Sequence, residues 1–135
     1  MTRVLSIASL LLCVCQPALG GANTYQCTIK EQLTLHDNGL LTRPPNAWLI
    51  GKRFAVDRNT GMLTGPETAL WSTASSKYTV LARGNRSNAF TAIATDTAAE
   101  NGVHTTLLKV EEYVPTTMKP FVLLSGSEVA SGVCE

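Results

Sequence analysis

The sequence predicts an all-β fold, a small antiparallel meander curled into a barrel or half-barrel with one or two short helical turns. Three observations point there. Beyond an apolar leader, the chain divides into about eight short segments of alternating or β-branched character. Clusters of Gly, Pro, Asn and Asp separate them, and two cysteines, Cys27 and Cys134, stand near the two ends of that region. A chain of hairpins with its ends clamped together favours curling, because closure hides strand edges that otherwise invite aggregation. A two-sheet sandwich satisfies the same clamp.

The elements follow in order. Tyr25, Cys27, Ile29, Leu33 and Leu35 alternate with polar residues, the pattern of a strand with one buried and one wet face. Glu31 interrupts the apolar side, and a bulge or an edge position would let it reach water. Asp37-Asn38-Gly39 reads as a turn. Pro44-Pro45 breaks the chain before a brief helical turn over Asn46 to Ile50. Arg53 to Arg58, a turn at Asn59-Thr60-Gly61 and Met62 to Thr64 form a hairpin, since Gly adopts the left-handed conformation cheaply. Pro66 fits the first position of a short helix ending at Trp71. Lys77 to Arg83 and Ala89 to Thr95 are strands about a polar turn at Gly84 to Asn88. Asp96 to Gly102 connects to a long strand over Val103 to Val114, Pro115 to Pro120 forms a loop, and Phe121 to Leu124 and Val129 to Cys134 supply the last strands.

The leader sets the compartment. Arg3 precedes the apolar run Leu5 to Val14, and Ala18-Leu19-Gly20 offers small residues for signal-peptidase cleavage before Gly21; Ala22 offers a second cleavage point. The run falls short of the roughly 18 apolar residues of a membrane span. Neither Cys13 nor Cys15 follows the small-residue pair of a lipoprotein signal. The expectation is a signal peptide over residues 1–20, a single disulfide-closed β domain over residues 21–135, and a periplasmic or extracellular destination. Export removes Cys13 and Cys15 and leaves Cys27 and Cys134 to pair in an oxidising compartment.

Charge limits the partners. The eleven Lys and Arg include Arg3, so the exported chain balances ten cations against ten Asp and Glu. Zero formal charge gives no global attraction for nucleic acid, whose binding leans on phosphate neutralisation. Arg53 with Arg58, and Arg83 with Arg86, form two small basic clusters at hairpin ends.

Reaction motifs are scarce. Ser125-Gly126-Ser127-Glu128 lacks the Gly-x-Ser-x-Gly nucleophile elbow. His36 and His104 are the only histidines and read as surface or hydrogen-bonding residues. No Cys/His spacing or acidic loop implies zinc or calcium, and no motif implies a cofactor. Asp57, Glu111 and Glu112 are carboxylates of the type a hydrolase pairs, although adjacent Glu111 and Glu112 on a strand would point to opposite faces. Asn85-Arg86-Ser87 matches a glycosylation sequon, which matters only under eukaryotic export. Trp48, Trp71 and Tyr78 are the candidate contact residues, because aromatic side chains anchor many binding surfaces.

The stretch Phe54-Ala55-Val56-Asp57-Arg58-Asn59-Thr60-Gly61-Met62-Leu63-Thr64-Gly65, the opening Tyr25-Gln26-Cys27 and the ending Ser131-Gly132-Val133-Cys134 resemble small exported bacterial β-rich proteins of uncharacterised function. The resemblance implies no catalytic residue. Periplasmic inhibitors of lysozyme also use small disulfide-closed β domains, but their serine-glycine-aromatic loop has no counterpart around Ser72 to Tyr78, so that likeness is one of architecture. The functional expectation is a noncatalytic binding module whose partner is an envelope protein or a small ligand. The alternatives are a structural or envelope-assembly protein and a carboxylate-based hydrolase.

Overall fold

The structure is a computed structural model, and it describes residues 23–68, 71–97 and 102–135. The expected signal peptide, with Cys13 and Cys15, lies outside them, as do parts of the expected helix ending at Trp71 and of the connection after Asp96. Nine strands are present among the described residues: β1 (Thr24–Leu35), β2 (Leu41–Thr42), β3 (Arg53–Asp57), β4 (Leu63–Thr64), β5 (Lys77–Asn85), β6 (Asn88–Asp96), β7 (His104–Val110), β8 (Lys119–Ser125) and β9 (Glu128–Cys134). They form one antiparallel sheet in the order β4-β3-β1-β9-β8-β7-β6-β5, with β2 beside β1, curled into a half-barrel. From β5 to β9 the chain is a plain meander. The last strand then pairs with the first, which places β1 inside the sheet between β3 and β9.

That central pairing has a definite geometry. Gln26 and Glu135 exchange both backbone hydrogen bonds, each 2.9 Å, so the next pair along, Cys27 opposite Cys134, is a non-hydrogen-bonded pair. Side chains approach most closely at such pairs. The two sulfurs are bonded across them, and both residues are fully buried.

Two residues further on, the ladder slips. Ile29 faces Gly132 and Glu31 faces Ser131, which leaves Lys30 as the extra residue of a β-bulge. The outer side of Ile29 is satisfied by the returning chain, through bonds to Gly51 and Lys52 of 2.8 and 2.9 Å. One extra residue reverses the phase of alternation. Tyr25, Cys27 and Ile29 point inward, but beyond the bulge Gln32 is buried while Leu33 and Leu35 share the outer face with Glu31. The bulge read as one way for Glu31 to reach water is present, but it turns Leu33 and Leu35 off the buried side expected for them, and Glu31 reaches an exposed Arg43 as its ion-pair partner. Gln32 is accommodated inside because its amide accepts from Leu49 N at 3.1 Å and donates to Glu128 at 3.3 Å.

The concave side is packed by inward residues of every long strand. Phe54 meets Trp71 and Phe121 edge to face, at ring separations of 5.4 and 5.3 Å, and Tyr25 meets Phe90 in the same manner at 5.3 Å. Ile29, Leu108, Leu123, Val56 and Val110 fill the space between them. The turn after β3 folds onto this surface: a Cβ at Gly61 would lie 2.9 Å from that of Ala92 and 3.4 Å from Val80.

Strand boundaries differ from expectation where local chemistry intervenes. The seventh strand ends at Val110, because Glu111 to Val114 turns back through bonds Glu112 N to Val110 O and Val114 N to Glu111 O. Lys119 and Pro120 belong to β8 and not to the preceding loop. Pro120 lacks an N–H but lies at the strand's start, where its carbonyl accepts from Glu111 N at 2.8 Å. The β2 strand, two residues long, carries too little pattern to be read from sequence.

Two outcomes test this architecture. Replacing both Cys27 and Cys134 by alanine is expected to lower unfolding stability by about 2 to 5 kcal/mol in urea titration, the range for a bridge over a long loop. A Cβ at Gly132 would overlap the Thr28 carbonyl and stand 2.9 Å from Phe121 and 3.0 Å from Lys30 N. Gly132→Ala is expected to cost about 3 kcal/mol, and a melting temperature equal to wild type would show that the bulge is not held this closely.

Candidate functional site

The expected aromatic residues do not come together as one surface. Trp71 is 3 % exposed and packs on Phe54, so it serves the core. Tyr78, on β5, is half-buried against the same core. Trp48 alone of the two tryptophans is at the surface, 46 % exposed, on the turn that follows β2. Its neighbour Leu49 turns inward and is buried.

At one end of the half-barrel the inward positions become polar. Thr106 donates to the Trp71 carbonyl at 2.6 Å, Ser125 lies 2.8 Å from Thr106, and His104 Nε2 lies 3.2 Å from Ser125. The first of these bonds orders the rest. With the Thr106 proton on Trp71, Thr106 accepts from Ser125, and Ser125 then accepts from a protonated Nε2 of His104. The serine proton thus points towards Thr106 and away from the imidazole, the opposite of what a histidine-activated nucleophile requires. Asp96 faces His104 across the β6–β7 ladder and receives hydrogen bonds from Thr73 and from Ser75, the latter at 3.1 Å. The residues of this network occupy the two-residue period that also buries Leu108, Val110 and Leu123. That period was the available signal for it.

The other end is closed by a network with no sequence signal. Tyr25 on β1 donates to Glu112 after β7, Arg58 after β3 pairs with the same carboxylate oxygen at 2.9 Å, and the Arg58 guanidinium lies over the Tyr25 ring at 4.8 Å. Gly84 on β5 provides room for Glu112, since a Cβ there would stand 2.8 Å from its Cγ. Burial, then the hydrogen bond to Glu112, pushes the Tyr25 phenol well above its ordinary range.

The remaining carboxylates and histidine are locally engaged. Asp57 accepts from Asn59 N and Thr60 N, both 2.8 Å, and from the Thr60 hydroxyl, and these donors hold its pKa low. Glu111 pairs with Lys109 at 2.8 Å, and the hydrogen bond from Lys109, then one from Tyr113, holds its carboxyl below the usual range. His36 lies 2.7 Å from the Thr42 hydroxyl across the β1–β2 hairpin. Among the described residues no group of three or more His, Cys, Asp or Glu is arranged to hold a metal ion, and no helix is long and apolar enough to cross a membrane.

The outer, convex face carries the feature that sequence reasoning missed. Leu33 on β1 is opposite Val129 on β9, Val129 opposite Leu124 on β8, Leu124 opposite Leu107 on β7, and Leu107 opposite Ile93 on β6. These five outward side chains form one aliphatic row across five neighbouring strands, about 19 Å from end to end at the usual strand spacing. Leu124 is 41 % exposed at its centre. Leu35 and Leu41, a cross-strand pair, lie in the next row along β1, at the β1–β2 hairpin, with Leu40 exposed beside them. An outward row on a solvated sheet is ordinarily polar. The adjoining row is so: Glu31, Ser131, Val122, Lys109 and Thr91, with one aliphatic member.

No family model, no curated protein and no solved structure matches this chain.

The Tyr25 network predicts an alkaline effect. An unfolded phenol ionises near pH 10, whereas the buried Tyr25 keeps its proton to higher pH. Above about pH 10 the unfolded state therefore holds fewer protons, and stability falls by up to about 1.4 kcal/mol per pH unit from this group. Tyr25→Phe is expected to flatten that fall in urea titrations between pH 9 and 11; an unchanged slope would show that Tyr25 ionises freely.

Proposed function

We propose that this chain is an exported, noncatalytic binding module that docks a partner protein of the periplasm or extracellular space on its convex face. The aliphatic row from Leu33 to Ile93 carries the reading. Outward aliphatic side chains aligned over five strands, Leu124 exposed and Leu33, Val129, Leu107 and Ile93 half-buried, favour a contact surface, because an isolated sheet gains nothing from leaving them partly wet. The charges next to the row are neutralised within the chain, Glu31 by Arg43 and Lys109 by Glu111. The fitting occupant is accordingly an apolar protein surface and not a charged ligand or nucleic acid. The hairpin leucines lie at the β1 end of the row and Trp48 is exposed on the turn that follows β2, and these would extend the contact.

Export is supported by the leader, by the buried Cys27–Cys134 bridge, which persists in oxidising compartments, and by the resemblance to exported bacterial proteins. A carboxylate hydrolase is disfavoured by the occupation of its candidates: Asp57 closes a turn, Glu111 pairs with Lys109 and Glu112 is shared by Tyr25 and Arg58.

The test is affinity capture from envelope extract with purified residues 21–135, comparing wild type with Leu124→Glu, Leu107→Glu and Trp48→Ala. Outward sheet substitutions such as the two glutamates cost about 0.2 to 1 kcal/mol, and Trp48 is exposed on a turn, so all three should remain folded by circular dichroism. The two glutamate variants are expected to lose the captured partner, and Trp48→Ala to weaken it. Equal recovery by folded glutamate variants would reject the convex face as the interface.

A further inference from the structure

The two margins of the half-barrel are unlike. At one, β4 is two residues long and the preceding turn folds inward over Ala92 and Val80. At the other, β5 runs for nine residues, pairs with β6 on one side, and among the described residues receives no backbone hydrogen bond on the other. Half of its N–H and C=O groups therefore face away from the sheet, as in the edge strands that accept an added strand.

The same hairpin gathers the unpaired cations. Arg43, Lys52, Arg53, Arg58 and Lys109 have carboxylate partners, and Lys119 donates to the Val114 carbonyl. Of the remaining four described cations, Lys77, Arg83 and Arg86 belong to β5 and its turn, and only Lys30 lies elsewhere. The hairpin's one acid, Asp96, is buried at the far end of β6 and engaged by Thr73 and Ser75. A chain of formal net charge +1 thus gathers, among the described residues, three of its four unpaired cations at one margin. Lys77 and Arg83 mark its two ends, about 20 Å apart at the rise of a strand. Leu81, 60 % exposed, stands between them at a bulge that divides the edge into two four-residue stretches.

We propose that the β5 edge is a second binding site, independent of the convex face, which takes an extended acidic segment of another protein as an added strand. The segment's backbone pairs with the free groups of β5, its carboxylates meet Lys77 at one end and Arg83 and Arg86 at the other, and an aliphatic side chain rests on Leu81. A second copy of this chain fits poorly. Antiparallel pairing of β5 with itself about Leu81 would set Lys77 of each copy near Arg83 and Arg86 of the other, and like charges across a ladder are destabilising.

The probe is a synthetic nine-residue peptide of alternating valine and threonine with two glutamates at each end, compared with the same peptide carrying lysines. Binding is read by fluorescence anisotropy and by amide hydrogen exchange of the whole domain. The glutamate peptide is expected to bind, to slow exchange within Lys77–Asn85, and to weaken with added salt. The variant Lys77→Glu/Arg83→Glu/Arg86→Glu, which breaks no ion pair among the described residues, should melt as wild type and bind this peptide roughly tenfold or more weakly. Leu124→Glu should bind it unchanged, so that this site and the convex face are judged separately. Equal affinity for the lysine peptide, an undiminished affinity in the triple variant, or binding without slowed exchange in β5 would overturn the proposal. A short DNA oligonucleotide that binds as tightly as the glutamate peptide would do the same, by reducing the margin to a general anion patch.

Discussion

The pairing of β1 with β9 is the constraint on which the rest of this molecule depends. Sheet order, curvature and the outward row all follow from a first strand held in register against the last. Two local features hold that register. The Gln26–Glu135 pair leaves Cys27 and Cys134 at a closely spaced position where their sulfurs are bonded, and Gly132 lets the backbone of the Lys30 bulge approach where any side chain would collide. The bridge restricts the unfolded chain over a sequence separation of 107 residues, whereas the bulge acts on the folded state by deciding which side chains go in.

From that register the two faces acquire different characters. The concave face is close-packed by aromatic and aliphatic side chains, and its ends are finished by polar groups with assigned partners: the His104–Ser125–Thr106 chain at one end, the Tyr25–Arg58–Glu112 group at the other. Buried polar groups satisfied in this way fix geometry more than they add net stability. The chemistry-bearing residues of this chain are, in this sense, spent on structure. The surfaces we propose for partners lie outside, on the aliphatic row and along the margin of β5.

Much of the architecture was legible because hairpins are local. Asn59-Thr60-Gly61 turns the chain where expected, with Gly61 at a positive φ of 78°, and Tyr25, Cys27 and Ile29 face inward as read. The contact residues were far less legible. Trp48 and Trp71 are equivalent by residue type, yet one is exposed and the other buried, because only Trp71 meets Phe54 in space. Leu107-Leu108 and Val122-Leu123-Leu124 are continuous apolar runs, and a run does not say which member faces out.

By itself the sequence determined the all-β class, the positions of most turns and the pairing of the two cysteines beyond the leader. These are set by turn chemistry, by alternation within one strand and by there being two cysteines beyond the apolar leader. The tertiary structure alone decided the reversal at Lys30, the alignment of Leu33, Val129, Leu124, Leu107 and Ile93 into one row, and the isolation of β5 at a margin. Each is a matter of register or neighbour between segments far apart in the chain, and such relations are fixed only when backbone pairing and packing are satisfied together.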